Sequence, residues 1–180
     1  MQEKLVYPDG IISTVDAARG RLTPRILERL KNEAGYEDGV KRPSYPISTM
    51  DKVVKIFAAE LYAGMPADQA QYEVGKLAMK RYTDSTVGKA LMPLIRMLGP
   101  MRFLKRLPSM FRQANNYADV KVDIMGPATF ILDHNEVSEL PHYFRGVMEA
   151  SIALIGLKEP RCELLEYDGH RAKYRVSWNA

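Results

Sequence analysis

At 180 residues, with 46% apolar and 27% charged side chains, the chain has a globular rather than a disordered composition, and its length suits a single domain over 1–180. No apolar run reaches the roughly 18–20 residues that would cross a bilayer, and Met1 to Val6, with Glu3 and Lys4, lacks the apolar core of a secretory signal. The net charge of +4 is too small to imply nucleic acid, and the single cysteine, Cys162, excludes an internal disulfide, so the cytoplasm is the expected compartment.

The first two-thirds reads as helical. Leu5 to Tyr7 suggests a short strand ended by Pro8-Asp9-Gly10, with a first helix from near Ile11 to before Gly20. Thr23-Pro24 is an N-cap followed by proline at N1, and Gly35 is placed to end that second helix. A long loop is expected over 37–46, and Ser48 with Asp51 resembles a capping box before the stripe Met50, Val53, Val54, Phe57 and Leu61. Pro66 opens the next helix. A third stripe runs from Val87 to Leu98 with Pro93 inside it, and Gly99-Pro100 is a stop. A further helix from Met101 to about Gln113 is expected to be interrupted near Pro108.

The period then changes from helical to two. Val120, Val122 and Ile124 alternate with Lys121 and Asp123, and Ala128, Phe130 and Leu132 alternate with Thr129, Ile131 and Asp133, which predicts a hairpin about Gly126-Pro127. Pro141 opens a helix that Gly156 closes, and a two-residue Asp168-Gly169 turn joins Arg161–Tyr167 to Arg171–Trp178. The fold class is therefore α+β: a helical N-terminal two-thirds packed on a C-terminal antiparallel sheet made as hairpin, helix, hairpin.

Spacings that carry known chemistry are missing. There is no phosphate-cradling glycine loop, no nucleophile elbow and no zinc-protease helix motif. The three histidines are scattered: His134 and His170 are read at turns and His142 in the first turn of a helix, so neither a metal site nor a catalytic residue is assigned and an enzyme is not expected. Cys162 has no acid–base partner near it in sequence and reads as a residue inside a sheet.

The informative stretch is 89–112. From Ser85 to Ala118 there is no Asp or Glu, while Lys89, Arg96, Arg102, Lys105, Arg106 and Arg112 mix with Met92, Met97, Met101 and Met110. Methionine lines adaptable apolar cavities, and arginine grips a carboxylate or phosphate in bidentate fashion. The stretch therefore suggests a pocket for a small apolar molecule, with an anionic head if it has one. Its walls would be Met97, Phe103, Met110, Phe111 and Phe144, with Arg102 or Arg106 at the mouth. The competing readings are a plain core helix with a basic wet face, or a surface patch for an acidic partner, nucleic acid or anionic lipid. Asn115-Asn116-Tyr117 reads as a structural turn at the helix-to-strand junction. A homodimer rests on base rates alone.

Six segments in chain order carry a family resemblance: Tyr62-Ala63-Gly64-Met65-Pro66, Thr86-Val87-Gly88-Lys89-Ala90, Leu98-Gly99-Pro100-Met101-Arg102, Phe111-Arg112-Gln113-Ala114-Asn115-Asn116-Tyr117, Tyr143-Phe144-Arg145-Gly146-Val147 and Tyr174-Arg175-Val176-Ser177-Trp178. With these the chain resembles a myxobacterial paralogous family of proteins of unknown function. The family often has Arg-Thr-Gly where this chain has Arg112-Gln113-Ala114. The C-terminal half also looks like heme–nitric-oxide-binding and vinyl-reductase-type ligand-binding domains, which implies a ligand space between helices and sheet and a sensory role. The heme version is disfavoured. The Tyr-x-Ser-x-Arg heme-propionate motif is not met by Tyr174-Arg175-Val176-Ser177-Trp178, and His142 would be the least unsuitable axial ligand.

Overall fold

The computed structural model describes residues 2–84 and 99–179, with backbone alone for 81–84. The Val87–Leu98 stripe, together with Met92, Met97 and Lys89, lies outside the described residues.

A short strand β1 (Leu5–Val6) leads directly into α1 (Pro8–Ala17), a 3-10 turn (Arg19–Arg21) and α2 (Pro24–Asn32). The first helix begins earlier than the sequence suggests. Pro8-Asp9-Gly10, read as a turn, is its first turn, because proline at N1 costs no hydrogen bond and Asp9 suits the positive end of the helix. Thr23 caps α2 as expected, its Oγ1 accepting from Ile26 N at 3.3 Å. Gly35 takes φ +71° beyond the helix end, a conformation that suits glycine.

β2 (Tyr45–Pro46) pairs antiparallel with β1, and α3 (Ile47–Leu61) and α4 (Ala67–Asp84) follow. The Ser48–Asp51 capping box does not form. No side chain caps α3, and the Asp51 carboxylate accepts instead from the Ser138 hydroxyl at 2.6 Å, a residue far along the chain. α5 (Pro100–Ala114) contains Pro108 without being interrupted. Proline removes one N–H from the helical ladder. Phe103, Leu104 and Leu107 are buried before it and Phe111 packs on the sheet after it, so one apolar face anchors both halves.

The C-terminal third is an antiparallel sheet in the order β3 (Val120–Gly126), β4 (Thr129–His134), β6 (Ala172–Asn179), β5 (Lys158–Tyr167), with α6 (Pro141–Leu154) between the hairpins. One rung runs Val122, Leu132, Tyr174 and Leu164 across all four strands. The fold is thus α+β, as the change of period indicates. The last turn is longer than two residues: Tyr167 pairs with Ala172, so Asp168–Arg171 form the loop, and Asp168 Oδ1 accepts from the backbone N–H groups of His170 and Arg171. Gly156 takes φ +88° just past α6, its expected place.

Two apolar clusters result. One joins α1 to α4 with Leu140 and Tyr143; the other joins α5 and α6 to the sheet. Phe144 and Val147 of α6 pack against both, so this helix is the wall between them. It crosses α4 at Gly146 and Gly75, where a Cβ on either glycine would lie 2.1 Å from a carbonyl oxygen of the other helix.

The Asn pair has a structural role at the join of the two clusters. Asn115 Oδ1 accepts from Tyr117 N and Ala118 N. Asn116 reaches back to the N-terminus: its Oδ1 accepts from Leu5 N at 2.8 Å and its Nδ2 donates to Glu3 O at 3.0 Å. Asn116→Ala is expected to cost about 1–2 kcal/mol in urea unfolding, since two side-chain bonds go and Leu5 N loses its acceptor. No change would show that the N-terminal strand is held by its backbone contacts alone.

Candidate functional site

Alternation along β4 turns Phe130, Leu132 and His134 to the same buried side. His134 is therefore no turn residue: it closes β4, paired in register with Val120 and Ala172, and is 0% exposed. Its ring lies against Phe111 of α5, edge to face with centroids 4.9 Å apart, and against Phe144 of α6, also at 4.9 Å. Phe111 and Phe144 are 6.1 Å apart, and Tyr143 continues the row at 5.4 Å from Phe144. A file of aromatic rings thus runs from α5 across the end of the sheet to α6, where the two apolar clusters meet.

The imidazole is polar on both sides and partnered on one. His134 Nδ1 accepts from Glu136 N at 3.2 Å, whereas the buried Nε2 has no hydrogen-bond partner among the described residues. Burial pushes the pKa of His134 down to about 4, against the smaller opposing pull of Glu136 and Asp133. The ring is therefore neutral near pH 7. With Nδ1 accepting, its one proton sits on Nε2. A buried donor without an acceptor costs about 1–3 kcal/mol, so a leucine or phenylalanine would sit here more cheaply.

Beyond His134 the chain makes a polar knot before α6. The buried Glu136 carboxylate pairs with Lys4, lies 3.5 Å from His170 Nδ1 and accepts from Ser138 N at 2.8 Å. Burial acts to raise its pKa, but Lys4 and the Ser138 N–H outweigh it and hold it low. Asp51 goes the other way: burial raises it, and its Oδ1 has no partner. Tyr143, fully buried, shares a 3.2 Å hydrogen bond with Thr14 and is pushed up to about 12 by burial.

The residues singled out from the sequence fall into three groups. Phe111 and Phe144 come together at His134. Phe103 is buried in the sheet-side cluster, against which Phe111 and Phe144 also pack. Arg102, Arg106 and Met110, 41% exposed, stand on the outer face of α5, and Met97 lies outside the described residues. His142 sits apart on α6, 3.4 Å from Asp68, and Tyr174 is core, its hydroxyl donating to Pro141 O at 2.9 Å. Cys162 is a buried strand residue whose thiol pKa burial raises, the opposite of an activated nucleophile. Sequence reasoning missed His134 itself. The signal was present: the period set by Phe130 and Leu132 reaches it in one more step, and the following Asn135 disguised it as a turn.

Among the described residues no cluster of His, Cys, Asp and Glu is placed to hold a metal ion, and no helix is long and apolar enough to cross a membrane. An open, largely apolar groove of about 510 Å³ lies between the end of α3 and the start of α4, lined by Ala58, Tyr62, Met65 and Ala70 with Lys55 and Gln71 at its edge.

Comparison with known proteins agrees with this architecture. An H-NOX of T. tengcongensis superposes with a TM-score of 0.63 at 20% identity, covering 94% of this chain and 96% of that one. A doubly substituted Tt H-NOX gives 0.67 at 17% identity over 95% of both. An oxygen-binding H-NOX domain related to soluble guanylate cyclases gives 0.61 at 17% identity, covering 96% of this chain and 95% of that one. At such identities the likeness is one of fold. No curated protein matches the chain in sequence. The model of one family, described as a protein of unknown function, DUF2378, matches residues 5–179, and the chain belongs to that family.

Proposed function

We propose that this chain is a non-enzymatic ligand-binding or sensory domain that holds a small, largely apolar molecule where its helices meet its sheet. The observation that carries the reading is His134: a neutral, fully buried imidazole with an unanswered N–H, enclosed by aromatic rings at the seam of two apolar clusters. Ligand seats are mostly apolar with a few placed polar groups, and such a seam is where they occur. Phe103, Phe111 and Phe144 would supply the wall. Arg102 and Arg106, on the outer face of the same helix, would meet an anionic head only where it emerges to solvent. The fold is shared with domains of which one is described as oxygen-binding and another by its heme distortion.

Heme does not fit the residues present. Iron takes the lone pair of an imidazole nitrogen, and at His134 that lone pair is on Nδ1, already facing the Glu136 N–H, while Nε2 carries the proton. The buried Glu136 carboxylate nearby would also oppose a porphyrin's propionates. The ligand is therefore sought elsewhere. Native mass spectrometry of the purified chain, with an organic extract of the same sample, is expected to show one low-mass molecule per chain that Phe111→Ala with Phe144→Ala reduces at least tenfold. An empty extract from folded wild type would remove the reading.

A second reading has its own observation. Arg102, Lys105 and Arg106 are exposed on one side of α5 beside Met101 and Met110, in a helix without an acidic residue. As an interaction surface it would bind an acidic partner with an affinity falling steeply between low and physiological salt. Salt-independent binding to a polyglutamate probe, or none, would dismiss it.

A further inference from the structure

β3 is an end strand of the sheet, and among the described residues nothing pairs with its outer edge. The phase of the ladder fixes what that edge presents. Asn135 N donates to Asp119 O just before the first β3–β4 rung, and Trp178 N donates to Ala128 O where β4 meets β6. Bonded and unbonded pairs alternate in an antiparallel ladder. Lys121 and Asp123 therefore bond inward to β4, while Val120, Val122 and Ile124 turn their N–H and C=O groups outward. The opposite edge is guarded: β5 has two irregularities of register, and its outward Cys162 N–H is taken by the Glu149 carboxylate at 3.0 Å. The irregularity of β3 lies beyond Ile124, so its outward run from Val120 to Ile124 is regular. Ile124 is 42% exposed, and a hollow of about 400 Å³ lies beside the strand, lined by Leu104, Lys105 and Pro108 of α5 with Val120, Val122 and Ile124.

We propose that two copies of the chain dimerise through β3, paired antiparallel about a two-fold axis at Val122. Outward groups must meet outward groups, which restricts the register to steps of two residues. With Val122 opposite the partner's Val122, Val120 meets the partner's Ile124 and Lys121 meets the partner's Asp123. The opposite charges thus meet twice, in the unbonded positions where side chains approach most closely. A shift of one step either way sets Lys121 on the partner's Lys121, or Asp123 on the partner's Asp123, so charge selects one register. Within its own chain Asp123 lies opposite Ile131 and has no cation across its rung. On the helix side the partner's Val120, Val122 and Ile124 would cover the hollow beside α5, where Lys105 can keep its ammonium in water on its flexible stem. Lys121 then acts in two senses: it blunts the edge against an arbitrary strand, and opposite aspartate it admits a second copy. The ladder is short, which makes the dimer a weak, exchanging one.

Sedimentation equilibrium of the full chain from about 10 μM to about 1 mM covers that range of affinity. Wild type should pass from monomer to dimer. Asp123→Lys places like charges opposite each other at both contacts, and Lys121→Glu does so with the other sign. Each variant alone should dimerise about tenfold more weakly or worse. Their equimolar mixture should recover the wild-type affinity, because in the mixed dimer both contacts are again between opposite charges. Val122→Pro removes the N–H at the axis, a group that β4 does not use, and should give a folded monomer. The charge variants alter exposed side chains, so the answer does not depend on Val122→Pro folding. A wild type that stays monomeric, a dimer indifferent to both reversals, or a mixture that does not recover would each overturn the proposal.

Discussion

Gly146→Ala is expected to destabilise the protein by about 3 kcal/mol or more, the upper range for overpacking, because nothing in its way can rotate aside. A Cβ there would lie 2.1 Å from the Tyr72 carbonyl oxygen, 3.0 Å from its carbon and 3.1 Å from Lys76 N. The contact is reciprocal: a Cβ on Gly75 would lie 2.1 Å from Tyr143 O and 2.9 Å from Val147 N. These are backbone atoms of two helices, so relief requires the helices to part by about 1 Å to restore ordinary contact. Parting them strains whatever else spans the crossing. Tyr72 bonds Glu149 across it, Arg145 stacks 4.5 Å over the Tyr72 ring, and Glu149 in turn accepts from Cys162 N at 3.0 Å in the sheet. Phe144 and Val147, which serve both clusters, would move with α6. Gly20→Ala is the control, having nothing within 4 Å of an added Cβ, and should stay within about 0.5 kcal/mol of wild type. Urea unfolding of the three proteins measures the difference. A Gly146→Ala midpoint equal to that of Gly20→Ala would mean that the helices do not approach so closely.

That crossing also shows what a sequence can and cannot disclose. A glycine inside a helical pattern announces a cost of about 1 kcal/mol against alanine, hence some reason for its presence, but not which helix approaches it. Gly75 and Gly146 are far apart in the chain and explain each other only in three dimensions. Signals that are complete within a few residues were legible: Thr23-Pro24, Gly156 and the period-two run 128–133 each produced the local structure their chemistry dictates, and Asp168-Gly169 marked the last turn though not its length. Local signals failed where a distant partner decides. Ser48 and Asp51 have capping-box spacing, yet the Asp51 carboxylate is taken by Ser138. Pro108 has the chemistry of a break, yet Phe103, Leu104, Leu107 and Phe111 hold the helix to the sheet on both sides of it. Phe111 and Phe144, which meet at His134, were legible only as apolar residues at helical spacing. Arg102 and Arg106 follow the wet face of α5, whereas His134, buried among the rings, carries no local signal beyond the strand period that sets it apart from a turn residue.

His134 should also make the fold acid-sensitive. Its pKa is about 4 in the folded protein against an ordinary value of 6.5, so the unfolded chain takes up a proton first as pH falls. Stability is thus at its full value above about pH 7, begins to fall below 6.5 and stops falling once both states are protonated, below about 4. The loss from this group is about 2 kcal/mol at pH 5 and about 3 kcal/mol at pH 4. His142, whose pKa burial also lowers, adds in the same direction. The depressed carboxylates of Glu136 and Asp133 add theirs only at lower pH, and Asp51, raised by burial, works against them. Urea unfolding at pH 7, 6 and 5 lies above the depressed carboxylates, so the loss there is that of the histidines, offset by Asp51. In His134→Phe the slope over that window should shrink to the share of His142, and the variant should equal or exceed wild type at pH 5 if its larger ring is accommodated. An unchanged slope would mean that His134 is protonated as easily folded as unfolded, which a sealed apolar seam does not permit.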